Sequence, residues 1–165
     1  MIFLTVGTQL PFDRLTRALD AWAAAHSEQS VFGQIADPGA EGYRPQHFEW
    51  TPFLGPDEIE GRFSQAEVIV GHAGMGTIIG ALSRAKPLLI MPRRAHLREQ
   101  RNDHQFATVG RFGSKPGVCV AHEEPEVGPM LDTMLQAEAG TGAAIAAGAE
   151  PRLIEALRGF IFEKS

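Results

Sequence analysis

The chain holds a single cysteine, Cys119, among 165 residues. No disulfide can close within it, and a reducing compartment fits. Cys119 sits inside the apolar run Val118–Val120, which reads as a structural thiol rather than a nucleophile. No apolar stretch approaches the roughly 18 residues of a membrane span. Basic charge is short: 15 Lys and Arg against 20 Asp and Glu leave a net charge of −5. That is the wrong sign for a general nucleic-acid binder, which needs a basic face to displace phosphate counterions. The start, Met1–Val6, has no basic n-region and reads as a first strand rather than a signal peptide. These absences together predict a cytoplasmic protein. There is no internal repeat. With 44% hydrophobic and 21% charged residues, the composition excludes disorder and collagen-like structure, and predicts one domain with its own core.

What is present is an alternation of short apolar runs and helical patterns. Ile2–Val6, Val31–Ile35, His47–Thr51 (the weakest), Val68–Val70, Pro87–Met91 and Gly117–Ala121 read as strands. Several lack polar alternation, as strands buried on both faces do. Between them, Pro11 opens a helix with Phe12, Leu15, Leu19 and Trp22 on one face, and Pro56–Gln65, Ile78–Arg84 and Asn102–Arg111 are also helical. This order predicts the α/β class: a single Rossmann-like domain over 1–135, with a mostly parallel sheet and helices on both faces. Residues 136–150 contain seven Ala and three Gly and read as a linker or a weak helix. Residues 151–165 carry an apolar stripe, Leu153, Ile154, Leu157, Phe160 and Ile161, that suits packing on the chain's own sheet or docking on another protein.

Chemistry concentrates between Val68 and Gln105. The strand Val68–Val70 runs into Gly71-His72-Ala73-Gly74-Met75-Gly76-Thr77, which opens a helix. In open α/β sheets ligands sit beyond the carboxyl ends of strands. Glycines there bare the backbone N–H groups, and the helix dipole adds positive charge for a phosphate. Plain tight turns also use glycine. Pro92-Arg93-Arg94 follows the next strand, and Asn102-Asp103-His104-Gln105 opens the next helix with groups suited to sugar hydroxyls or to capping. Arg84, Lys86, Arg93, Arg94, Arg98 and Arg101 lie close together, as a solvated face or as an anion pocket.

Three motifs in this order resemble the glycosyltransferase family 28 C-terminal domain, the donor-binding half of the two-domain GT-B fold. They are Gly71–Ile79, Lys86–Arg93 and Asn102–Gln105, with Thr5–Gln9 and Pro11–Asp13 at the start. The likeness covers about residues 1–121. It points to the small single-domain members, which are soluble subunits of two-chain transferases in the dolichol pathway and in bacterial exopolysaccharide synthesis. The wording at Pro92–Arg94 and Arg101–Gln105 is closest to the exopolysaccharide branch.

The resemblance implies a nucleotide-sugar site. Gly7 and Thr8 would face the donor phosphates, Gly74, Met75, Gly76 and Thr77 would hold the diphosphate, and His72 would lie near diphosphate and sugar. His104 and Gln105, with Asn102 and Asp103, would meet sugar hydroxyls, and Arg93 or Arg94 would help with the phosphate charge. Relatives usually carry a ribose-binding glutamate where this chain has Gly80. The implied reaction is inverting transfer from a UDP-sugar to a lipid-linked saccharide. The donor could be UDP-glucuronic acid, UDP-N-acetylglucosamine, UDP-glucose or UDP-galactose. His72 and Asp13 are formal candidates for the general base. No Asp-x-Asp triplet is present, so neither metal nor cofactor is expected and the UDP-sugar is a substrate. The acceptor half, with any membrane anchor, is expected on a partner subunit at the inner face of the cytoplasmic membrane. Two rivals stay open: a non-catalytic nucleotide-sugar-binding subunit, and an NADP-binding oxidoreductase domain.

Overall fold

A computed structural model describes residues 1–140. The expected C-terminal helix over 151–165 and most of the Ala/Gly-rich segment lie outside the described residues. The order of elements is β1 (Ile2–Thr5), α1 (Asp13–Ala25), β2 (Val31–Gln34), β3 (Glu49–Thr51), α2 (Pro56–Gln65), β4 (Val68–His72), α3 (Met75–Leu82), β5 (Leu88–Met91), α4 (His104–Phe112), β6 (Val118–Val120) and α5 (Glu124–Gly140). The strands form one sheet in the order β3-β2-β1-β4-β5-β6, and every neighbouring pair is parallel. This is the architecture expected of half a GT-B molecule.

Side-chain alternation explains why the central strands read as unbroken apolar runs. Ile2 and Leu4 of β1, Val68 and Val70 of β4, and Leu89 and Met91 of β5 point to one face, where they meet Leu15 and Leu19 of α1 and Val127 and Leu131 of α5. Phe3, Ile69, Leu88 and Ile90 point to the other, against Phe63 of α2, Ile78 of α3 and Phe112 of α4. Both faces are covered, so neither set of positions can be polar. Cys119 is half-buried on β6, and burial pushes its thiol pKa up, as suits an unreactive thiol.

Helix starts follow local chemistry. Pro56 opens α2, and the Glu58 carboxylate reaches back to accept the Gly55 N–H at 2.9 Å, closing an orphan donor. One helix went unforeseen: α5 has Gly128 and Pro129 in its interior and lacks a clean polar face. It forms because Val127, Leu131 and Met134 pack into the core and because the Trp22 indole donates to Asp132 at 2.8 Å. It runs on through 136–140.

A buried carboxylate ties down the long β2–β3 connection. Asp20 is 1% exposed and accepts from the Tyr43 hydroxyl at 2.5 Å and from the N–H groups of Gln46 and His47 at 3.1 and 2.8 Å. Burial alone would raise its pKa, but these hydrogen bonds win and hold it below the usual carboxylate range.

Candidate functional site

The sheet order reverses between β1 and β4. The chain leaves β1 toward β2 and leaves β4 toward β5, so the two connections part and open a crevice at the carboxyl edge. The crevice measures about 1100 Å³ and is lined by the loops after β1, β4 and β5. Gly7, Thr8, His72, Gly74, Met75, Gly76 and Thr77 all line it, as do Arg93, Asn102, His104 and Gln105. Three motifs far apart in sequence thus share one wall.

His72 is the centre of this wall. It ends β4 and lies between two glycine loops. A Cβ on Gly74 would stand 2.1 Å from its Nε2, and one on Gly7, where φ is +82°, would stand 3.1 Å from its Cε1. The imidazole therefore crowds both glycine positions, and at Gly7 the left-handed backbone favours glycine as well. Thr77 Oγ1 lies 3.4 Å from Nδ1 on the third side. Gly76 differs, because no atom lies within 4 Å of where its Cβ would be. Its bare backbone, in the first turn of α3, opens on the crevice, where N–H groups and dipole favour an anion.

Burial, aided by the nearby Arg93 charge, pushes the His72 pKa down to about 4, so the ring is neutral at pH 7. In the unfolded chain it would titrate near the ordinary value of 6.5. Between these two values only the unfolded state binds the proton, so stability is complete above pH 6.5 and falls as pH drops toward 4. The expected loss across that window is about 3 kcal/mol. Urea denaturation of wild type and His72→Gln at pH 7 and pH 4.5 checks it: the variant should lack this part of the acid sensitivity. Equal sensitivity would contradict a neutral buried ring.

Arg93 lines the crevice but serves the loops themselves. It is 4% exposed. Its Nη1 donates to the carbonyls of Pro11 and Glu99 at 2.8 and 3.1 Å, and its Nη2 to those of Val6 and Leu10 at 2.8 and 2.7 Å. Burial lowers its pKa to about 10, which still leaves it charged. Its own N–H donates to Gln105 Oε1 at 3.0 Å, and Gln105 passes a bond to Gln100 at 2.7 Å. Glu99 completes the lacing, accepting from Arg14 Nε at 2.9 Å and from the Arg94 N–H at 2.8 Å.

Two expected site residues stand apart. The Arg94 guanidinium turns to the His122 carbonyl and to Glu123, and Asp103 accepts the Ala95 N–H at 2.8 Å. Neither lines the crevice. Asp13 accepts the Tyr43 N–H at 3.1 Å and is likewise not on the crevice wall. Asn102 Oδ1 contacts His104 Nδ1, while His104 Nε2 lies 3.1 Å from the Gln100 amide.

Other lining residues were not foreseen. Gln34 is 1% exposed and accepts from Thr5 Oγ1 at 2.8 Å while donating to the carbonyls of Gly7 and Pro52 at 2.9 and 3.0 Å. A polar residue ending an apolar strand was the available signal. Ile59, Glu60 and Phe63 of α2 form the far end of the crevice with Gly80 and Arg84, the two of this group that the sequence does mark, one for its missing glutamate and one in the basic cluster. Among the described residues no group of three or more His, Cys, Asp or Glu is placed to hold a metal ion. Nor is any helix among them long and apolar enough to cross a membrane.

Solved structures share this architecture. Os79 from O. sativa in complex with UDP superposes with a TM-score of 0.65 at 13% identity, covering 99% of this chain and 40% of that one. MurG of Acinetobacter baumannii gives 0.63 at 16% identity, over 98% and 49%. ALG13 gives 0.59 at 14% identity, over 99% and 95%. At such identities the likeness is one of fold. The chain spans only 38% of the kitacinnamycin glycotransferase and 40% of the forosaminyltransferase SpnP. No curated protein sequence matches it. The model of the glycosyltransferase family 28 C-terminal domain, however, matches residues 1–114, and this stretch contains the whole crevice wall. The chain belongs to the glycosyltransferase family 28 C-terminal domain family.

Proposed function

We propose that the chain is the donor-binding, catalytic subunit of an inverting glycosyltransferase that moves a sugar from a UDP-sugar to a lipid-linked saccharide in polysaccharide biosynthesis. The carrying observation is the crevice at the β1/β4 reversal, where the first turn of α3 faces open space over Gly76. Charge grows on the β-phosphate as the glycosidic bond breaks, and fixed N–H dipoles aimed at that point stabilise it without reorganising. Beside them the neutral His72 ring can share a proton with a phosphate oxygen or receive one from the acceptor hydroxyl. Arg101, exposed on the crevice wall and without a hydrogen-bond partner among the described residues, suits the carboxylate of a uronic acid donor. Neutral UDP-hexoses would meet the same wall at His104, with the buried Gln105 amide bonded to Arg93 and Gln100 behind it.

The acceptor half belongs to a partner, by this reading a membrane-anchored chain that brings the lipid-linked saccharide to the inner face of the membrane. All five exposed large hydrophobics among the described residues, Leu10, Phe53, Met75, Leu97 and Phe106, lie on segments that follow strand carboxyl ends. Leu10 and Met75 also line the crevice, and exposed apolar groups at a crevice mouth are what a covering subunit buries.

Calorimetry and thermal melting test the donor site. UDP at about 100 times its Kd should stabilise the chain by about 2.7 kcal/mol. No binding of UDP or of any UDP-sugar would end this reading. A second reading, a nucleotide-sugar-binding subunit that does no chemistry, draws on His72, whose pKa of about 4 makes a weak base. Unchanged turnover of the assembled complex after His72→Gln would favour it.

A further inference from the structure

The far end of the crevice has a construction of its own. Gly80 lies one turn, about 6 Å, along α3 from Gly76, the kind of step that separates a ribose from its diphosphate. A Cβ at Gly80 would stand 2.8 Å from Cζ of Phe63. The buried Phe63 ring thus fills the volume that a side chain at 80 would use to reach into the crevice. The Arg84 guanidinium lies over the same ring, 5.5 Å from its centroid.

Arg84 is fixed from below. Its Nη1 donates to the Gly80 carbonyl at 2.8 Å and to Ser83 Oγ at 3.1 Å. Its remaining edge grips the Glu60 carboxylate, with Nε donating to Oε1 at 3.1 Å and Nη2 to Oε2. A two-pronged grip sets the plane of a carboxylate and leaves its outer lone pairs free. The Glu60 side chain is 60% exposed and lines the crevice. The arginine also cancels the charge that would otherwise repel a diphosphate nearby. Ile59 adds an apolar wall beside it, of the kind a flat base packs on.

We propose that Glu60, oriented by Arg84, accepts hydrogen bonds from the 2′- and 3′-hydroxyls of the donor's ribose. The carboxylate that reads the nucleotide sugar would then stand on α2, while Gly80 of α3 makes room for the Phe63 and Arg84 support. This inference rests on the donor-site reading above. It makes Glu60 a specificity residue for ribonucleotides over deoxyribonucleotides, and Arg84 a positioning residue.

Calorimetric titration of the full chain with UDP and with 2′-deoxyuridine diphosphate tests it. Wild type should bind UDP about tenfold more tightly, the usual weight of a hydrogen bond to a charged group. Glu60→Ala, a change at an exposed site that leaves the circular dichroism intact, should bring the two affinities within about twofold of each other. Arg84→Gln should narrow the ratio as well, because the carboxylate loses its fixed plane. Equal binding of both nucleotides by wild type, or a ratio unchanged in Glu60→Ala, overturns this assignment and leaves the donor site standing. Wild type that binds neither nucleotide overturns both.

Discussion

Arg93→Met should destabilise the domain by about 4 kcal/mol, a large part of the 5–15 kcal/mol that holds such a domain together. The variant keeps the aliphatic bulk against Phe12 but removes the donors that now satisfy the carbonyls of Val6, Leu10, Pro11 and Glu99. The bond to Val6 is buried and the other three are partly buried, and a fully buried acceptor left unpaired costs about 1–3 kcal/mol. Water reaching the partly buried carbonyls would recover part of that, which is why the total stands at the low end of the simple sum. Arg93→Lys should recover only a fraction, since an ammonium on a flexible stem cannot span four acceptors in a fork geometry. Urea denaturation measures both variants. A cost below about 1 kcal/mol for Arg93→Met would mean that these bonds are made equally well by solvent.

The second large effect separates two glycines of one turn. Gly74→Ala places a methyl group 2.1 Å from His72 Nε2. The ring is flanked by Thr77, whose Oγ1 lies 3.4 Å from its Nδ1, so moving it aside disturbs that contact. We expect a loss of about 2–3 kcal/mol in stability, as overpacking of a closed site produces, together with a loss of UDP affinity. Gly76→Ala has no protein atom to strike. Its stability should be unchanged, or raised by up to about 1 kcal/mol, since alanine restricts the unfolded chain and favours helix. Yet UDP affinity should fall by about tenfold or more, because the methyl occupies the space an anion needs above the first turn of α3. Denaturation and calorimetry on the pair give four numbers. Normal UDP binding by Gly76→Ala would move the diphosphate away from this turn.

Much of the fold is legible in the sequence because central strands of a parallel sheet are apolar on both faces, and Ile2–Thr5 and Leu88–Met91 are written that way. The glycine turn from Gly71 to Thr77 was equally plain. α5 was not, since Gly128 and Pro129 argue against a helix that only its packing on α1 makes favourable. Arg93 and Arg94 looked alike as neighbours in sequence. In the fold one is swallowed by the carbonyls of the β1 loop and the other turns to β6's exit, a difference fixed by strand pleat and loop path rather than by residue type. Glu60 carried no local signal, and Arg84 stood out only as one of six clustered basic residues. Their meaning comes from α2 and α3 lying side by side, as does that of Gly80, whose missing side chain is explained by a ring seventeen positions earlier.

The placement of β1 has a consequence for how the molecule comes into being. Ile2 pairs with Val31 on one side and with Val68 on the other. During synthesis the chain emerges from its amino end, so β1 can find β2 early, while its second edge waits for the residues of β4. Until then Ile2, Phe3 and Leu4 stand in an unfinished sheet with one row of backbone donors and acceptors unclaimed. Such open apolar edges recruit other chains, and the long separation of the closing partner slows the step that would protect them. The nascent protein therefore bares this edge between the release of β2 and the release of β4, and that interval, rather than the finished domain, is where a chaperone could cover it.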